Sequence, residues 1–102
     1  EIKLLILKKD YSSCFPMLNI ITSERDKLRK FLSLKKIPTY IYYPLPLSDQ
    51  KIFTERKILY YSPVSRDISS KILSLPFHQN LLDNQIDYIV NKIKNYYSLK
   101  IN

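Results

Sequence analysis

Six prolines constrain most strongly what this chain of 102 residues can fold into. Proline lacks a backbone N–H and clashes with the preceding helical turn, so it is accepted mainly at helix starts, strand edges and loops. The prolines stand at Pro16, Pro38, Pro44, Pro46, Pro63 and Pro76. The elements between them are therefore short, and a chain of this length forms one domain with one modest core.

The first half of the chain predicts a strand and then a helix. Residues 13–21 (SCFPMLNII) favour a strand, which Pro16 restricts to a sheet edge or a bulge. Residues 22–36 favour a helix with Ser23 as its N-cap and Asp26 completing a weak capping box. The predicted buried side of this helix contains Leu28, Phe31, Leu32 and Leu34. Pro38 prevents the helix from continuing much beyond Lys36.

A tyrosine-rich strand is predicted over residues 38–44 (PTYIYYP). Alternation places Tyr40 and Tyr42 on one face and Ile41 and Tyr43 on the other. Pro44 and Pro46 then end the strand and stiffen the loop that leaves it. Tyrosine buries a large area and keeps a polar hydroxyl, so packing and ligand contact are both open for this cluster.

The second half predicts two helices around a short extended segment. Residues 48–61 give no clear pattern, whereas residues 62–73 favour a helix capped by Ser62, with Val64, Ile68 and Ile72 in register. Residues 74–78 are expected to be extended, and Asp83 is expected to cap a final helix. The apolar stripe of that helix is Ile86, Ile89, Val90, Ile93 and Tyr97. The fold class is therefore α+β, a small antiparallel or mixed sheet with about three helices packed on it.

Charge and cysteine content narrow the functional classes. The net charge is +8, with 9 basic and 4 acidic residues in the first 36, so a small basic binding or interaction module remains an alternative, although a lysine-rich solvated surface explains the charge as well. Cys14 is the only cysteine, which fits a reducing cytoplasm. Residues 1–10 are too short and too interrupted by lysine for a membrane span or signal sequence. We expect no nucleic acid or membrane partner.

Catalytic and metal-binding patterns are largely missing from the sequence. With no glycine, the chain has no glycine-rich phosphate loop. One histidine and one cysteine do not form a metal site, so no metal is expected. Cys14 and His78 form a nucleophile pair only if the fold joins them, and His78 is interpreted as a loop residue. Helix capping and solvation account for Asp83 and Asp87.

Two motifs resemble the C-terminal part of the DegT/DnrJ/EryC1/StrS family of nucleotide-sugar aminotransferases. The first is IPTYIYYPLPLSDQ and the second runs from SPVSRDISS to KILSLPFH, in the family's order and spacing. The matching residues are Ile37, Pro38, Thr39, Tyr42, Tyr43, Pro44, Pro46, Leu47 and Gln50, then Pro63, Leu73, Ser74, Leu75, Pro76 and His78. Arg25, Asp26 and Leu28 resemble the preceding family helix. The likeness covers about residues 11–95 and is nearest to the subgroup that makes 3-amino sugars on UDP carriers.

The resemblance implies the small C-terminal domain of an aspartate-aminotransferase-fold enzyme that uses pyridoxal phosphate. Such enzymes move an amino group, usually from glutamate, to a keto sugar on a nucleotide, and a large domain supplies the Schiff-base lysine. None of the 102 residues matches that domain. We therefore expect residues 1–10 to be a tail or junction to a missing large domain, and residues 11–102 to be the small domain. Alone, the chain is expected to bind no cofactor and to be catalytically inert. Homodimerisation is expected of an intact enzyme.

The same resemblance assigns roles to individual residues. Tyr42 and Tyr43 are implied to contact the sugar, without acting as catalysts. The residues implied to shape the surrounding loops are Pro44, Pro46, Gln50 and His78. Lys36 stands where the family has glycine after the helix, which implies a left-handed lysine at a cost of about 1 kcal/mol. Ser48 replaces the family's histidine, and Gln79 stands where proline is common.

Overall fold

A three-stranded antiparallel sheet lies at the centre of the computed structural model, which describes residues 1–4, 7–57 and 61–99. Its strands, in spatial order, are β1 (Lys3–Leu4), β2 (Leu18–Ile21) and β3 (Ile72–Leu75). Lys3 is opposite Ile21 in β1 and β2, and Leu18 is opposite Leu75 in β2 and β3. β1 lies inside the segment expected to be a tail or junction, so part of that segment belongs to the sheet.

Four α-helices and a 3-10 turn accompany the sheet in the described residues. The helices are α1 (Arg25–Leu34), α2 (Lys51–Glu55), α3 (Pro63–Lys71) and α4 (Asp83–Ser98), and the 3-10 turn is Leu47–Asp49. The predicted α+β class is confirmed. Residues 58–60, part of the stretch without a clear pattern, lie outside the described residues. No helix in the described ranges is long and apolar enough to cross a membrane.

The core lies between one face of the sheet and helices α1 and α4. It consists of Ile20, Leu28, Leu32, Ile37, Leu73 and Tyr96. Ile20 and Leu73 are opposite each other in β2 and β3 and are almost fully buried. Because alternate strand residues point to opposite faces, Leu18 and Leu75 lie on this helix-covered face too. The other face carries Asn19, Ile21, Ile72 and Ser74.

Helix α1 ends in a left-handed turn built on a lysine. Lys36 has φ 59°, as the resemblance implied. The Lys36 N–H donates to the Ser33 carbonyl at 2.9 Å, and the Ile37 N–H donates to the Leu32 carbonyl at 3.0 Å. These two bonds form a Schellman motif, and Ile37 and Leu32 both belong to the core. The side chain that follows the turn is thereby placed in the core.

Two predicted helix caps are wrong. Helix α1 begins one residue after Glu24, and Ser23 makes no capping hydrogen bond. Instead, the buried hydroxyl of Thr22 accepts from the Glu24 N–H at 3.2 Å and pairs with the Tyr97 hydroxyl at 2.7 Å. Asp83 is the first residue of α4 rather than its cap. The Gln85 Oε1 atom accepts from the Leu82 N–H at 3.0 Å and so satisfies a terminal donor.

The strand predicted over residues 38–44 is also wrong, since only Tyr40 forms a β-bridge there. Conversely, β3 begins at Ile72, which was predicted to be helical. The Ile72 N–H still donates to the Ile68 carbonyl as the last bond of α3. Pairing with Ile21 of β2 then extends the backbone from Ile72 onward.

The predicted apolar stripe of α4 is rotated slightly from the face that packs. Tyr96 is the buried residue of α4, with Ile89 and Ile93 half-buried beside it. Ile86 and Val90 remain 44% and 41% exposed. The spacing 89, 93, 96 is itself a helical face. The apolar stripe therefore predicted the helix correctly, but the face of α4 that packs on the core centres on Tyr96.

Candidate substrate-contact surface

Tyr40 is fixed to the outer edge of the sheet by two backbone hydrogen bonds. Its N–H donates to the Ser74 carbonyl at 3.1 Å, and the Ser74 N–H donates to the Tyr40 carbonyl at 2.8 Å. Residues paired in this way carry their side chains on the same face. Tyr40 therefore lies on the sheet face that points away from the core, next to Ser74.

The tyrosine cluster, defined as Tyr40, Tyr42 and Tyr43, forms a continuous and accessible aromatic surface. The rings of Tyr40 and Tyr42 stack with centroids 5.8 Å apart and planes 9° apart. Tyr43 meets the Tyr42 ring edge-on at 5.7 Å, and the Tyr42–Tyr43 peptide bond is cis. Tyr43 is 69% exposed, whereas Ile41 packs against the core. The structure thus brings Tyr42 and Tyr43 together, with Tyr40 as a third member.

The loop that follows the cluster is bound at its far end to helix α3. The Arg66 Nε donates to Asp49 Oδ2 at 2.7 Å, and the Arg66 Nη2 donates to Asp49 Oδ1 at 2.8 Å. The hydroxyls of Ser48 and Ser62 are 2.7 Å apart. The Arg66 guanidinium, assisted by the Ser48 hydroxyl, holds the pKa of Asp49 below its ordinary value. The loop therefore has two fixed ends, at Tyr40 and at Asp49.

The residues expected to shape this loop lie along it. Pro44 and Gln50 are exposed, and Pro46 is half-buried. Pro46 is extended, with φ −64° and ψ 155°, immediately before the 3-10 turn. Gln50 is extended between that turn and α2. Their roles as loop-shaping residues stay predictions.

His78 lies beyond β3 and lines other grooves. One of these has a volume of about 600 Å³ and also contains Cys14, Phe15 and Gln79 in its wall. Cys14 is exposed, and no hydrogen bond joins its thiol to His78 in the described part of the chain. Cys14 and His78 therefore line the same groove but do not form an activated nucleophile pair.

Sequence reasoning missed two pairs of side chains that organise this surface. The Ser74 hydroxyl is almost fully buried and donates to Asn19 Oδ1 at 2.5 Å. Asp49 and Arg66 are 17 positions apart and belong to different elements. The only available signal was the placement of Ser74 in the second motif, which did not indicate its partner.

Comparison with known proteins identifies the family. The family model described as the DegT/DnrJ/EryC1/StrS aminotransferase family matches residues 5–94. The chain belongs to this family. The match covers both motifs that carry the resemblance, and it extends N-terminally past residue 11, where the resemblance was expected to begin.

Relatives of this DegT-family chain include a sugar aminotransferase. A pleiotropic regulatory protein of Geobacillus stearothermophilus is 36% identical over 87 residues, which are 81% of this chain and 23% of the relative. The UDP-N-acetyl-3-dehydro-alpha-D-glucosamine 3-aminotransferase of Acidithiobacillus ferrooxidans is 31% identical over 84 residues, 82% of this chain and 22% of the relative. The chain therefore spans less than a quarter of the length of these two relatives.

Solved structures of the family share the fold of this chain. A DegT DnrJ EryC1 StrS aminotransferase from Brucella abortus has a TM-score of 0.81 at 32% identity, covering 93% of this chain and 26% of that structure. DesV of S. venezuelae has a TM-score of 0.82 at 20% identity, with the same coverage. The second likeness shows the fold alone.

The described residues do not fit pyridoxal phosphate, the cofactor that aminotransferases of the DegT family generally use. A cofactor site needs an enclosed lysine and a carboxylate facing the pyridine nitrogen, whereas no acidic residue in the described ranges is buried. The half-buried Lys71 pairs with Asp67 at 2.5 Å, and the half-buried Lys92 lies 5.0 Å from the centre of the Tyr88 ring. No group of three potential metal ligands occurs among the described residues either.

Proposed function

We propose that this chain is the C-terminal small domain of a pyridoxal-phosphate-dependent nucleotide-sugar aminotransferase. It presents the tyrosine cluster to the keto sugar, while a large domain holds the cofactor. Family membership supports the reaction class, and the name of the Acidithiobacillus ferrooxidans relative supports a nucleotide sugar as substrate. The observation that carries the proposal is the exposed tyrosine cluster on a loop fixed at both ends.

The geometry accounts for what the tyrosines contribute. A phenol hydroxyl both donates and accepts one hydrogen bond, which suits sugar hydroxyls. Tyr43 is 69% exposed, and its ring rests edge-on against Tyr42, so its hydroxyl is accessible while the ring is supported. Because Pro44 and Pro46 restrict the backbone, the loop loses less conformational entropy when it meets a ligand. The tyrosines bind and orient the sugar, and no proton transfer is assigned to them.

Amino transfer itself is assigned to the large domain. We therefore expect the purified 102-residue chain to be inert with pyridoxal phosphate, glutamate and any keto sugar. Homodimerisation of the intact enzyme and a cytoplasmic location belong to the same proposal. Turnover by the isolated chain would contradict it.

A hybrid enzyme tests the proposal. Residues 1–102 replace the matching segment of the Acidithiobacillus ferrooxidans relative, and amino transfer to its named substrate is measured. We expect the hybrid to be active and Tyr43→Phe to lower kcat/KM about fivefold, the effect of one hydrogen bond. Absorbance of the bound cofactor should be unchanged.

Tyr11 supplies the matched control, because it is also 69% exposed but lies in the N-terminal loop outside the cluster. Tyr11→Phe should leave kcat/KM unchanged. A folded, cofactor-loaded hybrid without activity would contradict the proposed function. Equal effects of Tyr43→Phe and Tyr11→Phe on kcat/KM would contradict the proposed sugar contact at Tyr43.

A further inference from the structure

Three side chains form a line across the sheet face that points away from the core. Asn19 of β2 is opposite Ser74 of β3, and Ser74 is in turn opposite Tyr40. Neighbouring strands lie about 4.8 Å apart, so this line is about 10 Å long. Tyr42 extends it through the stack on Tyr40. The polar end and the aromatic end therefore lie on one face of the sheet.

The amide of Asn19 is oriented by Ser74. The Ser74 hydroxyl donates to Asn19 Oδ1 at 2.5 Å, which fixes the carbonyl end of the amide. Both N–H groups on Nδ2 then point away from Ser74, and no hydrogen bond to them occurs within the described ranges. Asn19 is half-buried, whereas Ser74 is only 3% exposed. An amide held by its oxygen in this way is a directed donor with little rotational freedom to lose.

A directed donor on the same sheet face as stacked aromatic rings matches the chemistry of a sugar. A pyranose has apolar C–H faces that pack on aromatic rings and hydroxyl oxygens around its rim that accept hydrogen bonds. Tyr40 and Tyr42 are 56% and 39% exposed, so ring surface is available on the sheet face that carries the amide.

We propose that Asn19 donates a hydrogen bond to a hydroxyl oxygen of a hexose packed against Tyr40 and Tyr42, with Ser74 as the positioning residue. The inference rests on the proposed function in taking the ligand to be the sugar of a nucleotide sugar. It adds Asn19 and Tyr40 to the contacts and makes Asn19 a determinant of sugar specificity. The site is contained in this chain, so the chain alone binds the sugar.

Titration of the complete 102-residue chain with UDP-N-acetylglucosamine tests the site. In ¹H–¹⁵N spectra, the Asn19 side-chain amide signals should shift together with backbone signals near Tyr40. Uridine diphosphate alone should leave the Asn19 amide unmoved, because the sugar makes the contact. An unmoved Asn19 amide at saturating sugar nucleotide, or equal shifts with uridine diphosphate, would overturn the inference.

Asn19→Asp is the decisive variant, because it keeps the oxygen that accepts from Ser74 and removes both N–H donors. Binding of UDP-N-acetylglucosamine should weaken about fivefold. Asn91→Asp on the exposed side of α4 carries the same change of charge and should have no effect. Equal affinities for both variants would contradict the assignment.

Ser74→Ala provides a second route if the Asn19 variant does not fold. It leaves the donor in place and removes only its anchor, so binding should weaken two- to fivefold. The two protons of the Asn19 amide should also shift in the free protein. Unchanged affinity would contradict the role of Ser74.

Failure of this inference is distinguishable from failure of the proposed function. The binding titration needs neither the large domain nor pyridoxal phosphate. If the hybrid enzyme responds to Tyr43→Phe while Asn19 does not respond to the sugar, only the Asn19 site is lost. If the hybrid is inactive but the sugar still binds at Asn19, the proposed aminotransferase role is contradicted and the Asn19 site is retained.

Discussion

Arg66 of α3 makes two parallel hydrogen bonds to the carboxylate of Asp49, at 2.7 and 2.8 Å, and thereby joins the loop after the tyrosine cluster to a helix 17 residues away. Paired bonds of this kind restrict geometry more than a single contact does, because both planar groups must be aligned. The arginine side chain is 52% exposed and the aspartate side chain 22%. The pair acts on loop position more than on overall stability.

Removing the arginine should loosen the loop without unfolding the domain. For Arg66→Ala we expect amide exchange of residues 47–50 to become up to about fivefold faster, the upper range for an exposed ion pair. Exchange in β2 should be unchanged. Lys71→Ala, which breaks the pair with Asp67 on the same helix, is the control and should not affect the loop. Equal exchange at residues 47–50 in both variants would contradict this prediction.

Acidification should release the same contact. Arg66 lowers the folded-state pKa of Asp49, so the stabilisation is complete above the unfolded pKa of about 3.9 and is lost as pH falls through the lowered folded value. Protection of residues 47–50, corrected for intrinsic exchange, should be constant from pH 7 to about pH 5 and decline below about pH 4. Asp49→Asn should remove this decline. A decline centred near neutral pH would assign it to another group.

Replacing the left-handed lysine after α1 with glycine should stabilise the domain. Lys36 has φ 59°, where a side chain costs about 1 kcal/mol, part of which is offset by the greater freedom of glycine in the unfolded chain. We expect Lys36→Gly to raise the free energy of unfolding by about 0.5–1 kcal/mol in urea denaturation. Lys35→Gly, at φ −94°, is the matched control and should lower it. A loss of stability in both variants would contradict the left-handed assignment.

Leu73 should be the most sensitive position of β3. It is fully buried within the core between the sheet and the helices, so Leu73→Ala removes buried methyl groups and leaves a cavity. We expect a loss of about 2–5 kcal/mol in the free energy of unfolding, a large share of the stability of a small domain. Leu34→Ala is the control and should change it by less than about 0.5 kcal/mol. Leu34 was predicted to lie on the buried side of α1, which is wrong, since it is 74% exposed.

Helices α1, α3 and α4 were predictable because their signals are local, whereas α2 lies in the stretch that gave no clear pattern. Pro63 and Ser62 mark the start of α3, and the spacing of apolar residues marks α4. Pro38 correctly limited α1, and the lysine at the family's glycine position correctly indicated a left-handed turn. These features depend on a few neighbouring residues and on the restricted backbone of proline.

The sheet and the Asp49–Arg66 ion pair were less predictable because they depend on distant partners. Ile72 has strong helical spacing, yet pairing with Ile21 makes it a strand residue. The residues around Tyr40 favour a strand, yet Tyr40 alone among them pairs with β3, through a single bridge to Ser74. The lack of N–H groups on Pro38 and Pro44 limits any longer ladder there. Likewise, nothing within either sequence segment indicates that Asp49 meets Arg66.

The outer edge of β3 has a consequence for the solubility of the chain. Of the strand's backbone donors, the N–H groups of Ile72 and Ser74 point outward, and both are already used: the first by the Ile68 carbonyl at the end of α3, the second by the Tyr40 carbonyl. An unpaired strand edge is a template on which another chain can add a strand and begin aggregation. Here a helix end and a single tyrosine occupy that edge, so this side of the sheet is protected against edge-to-edge association without a fourth strand.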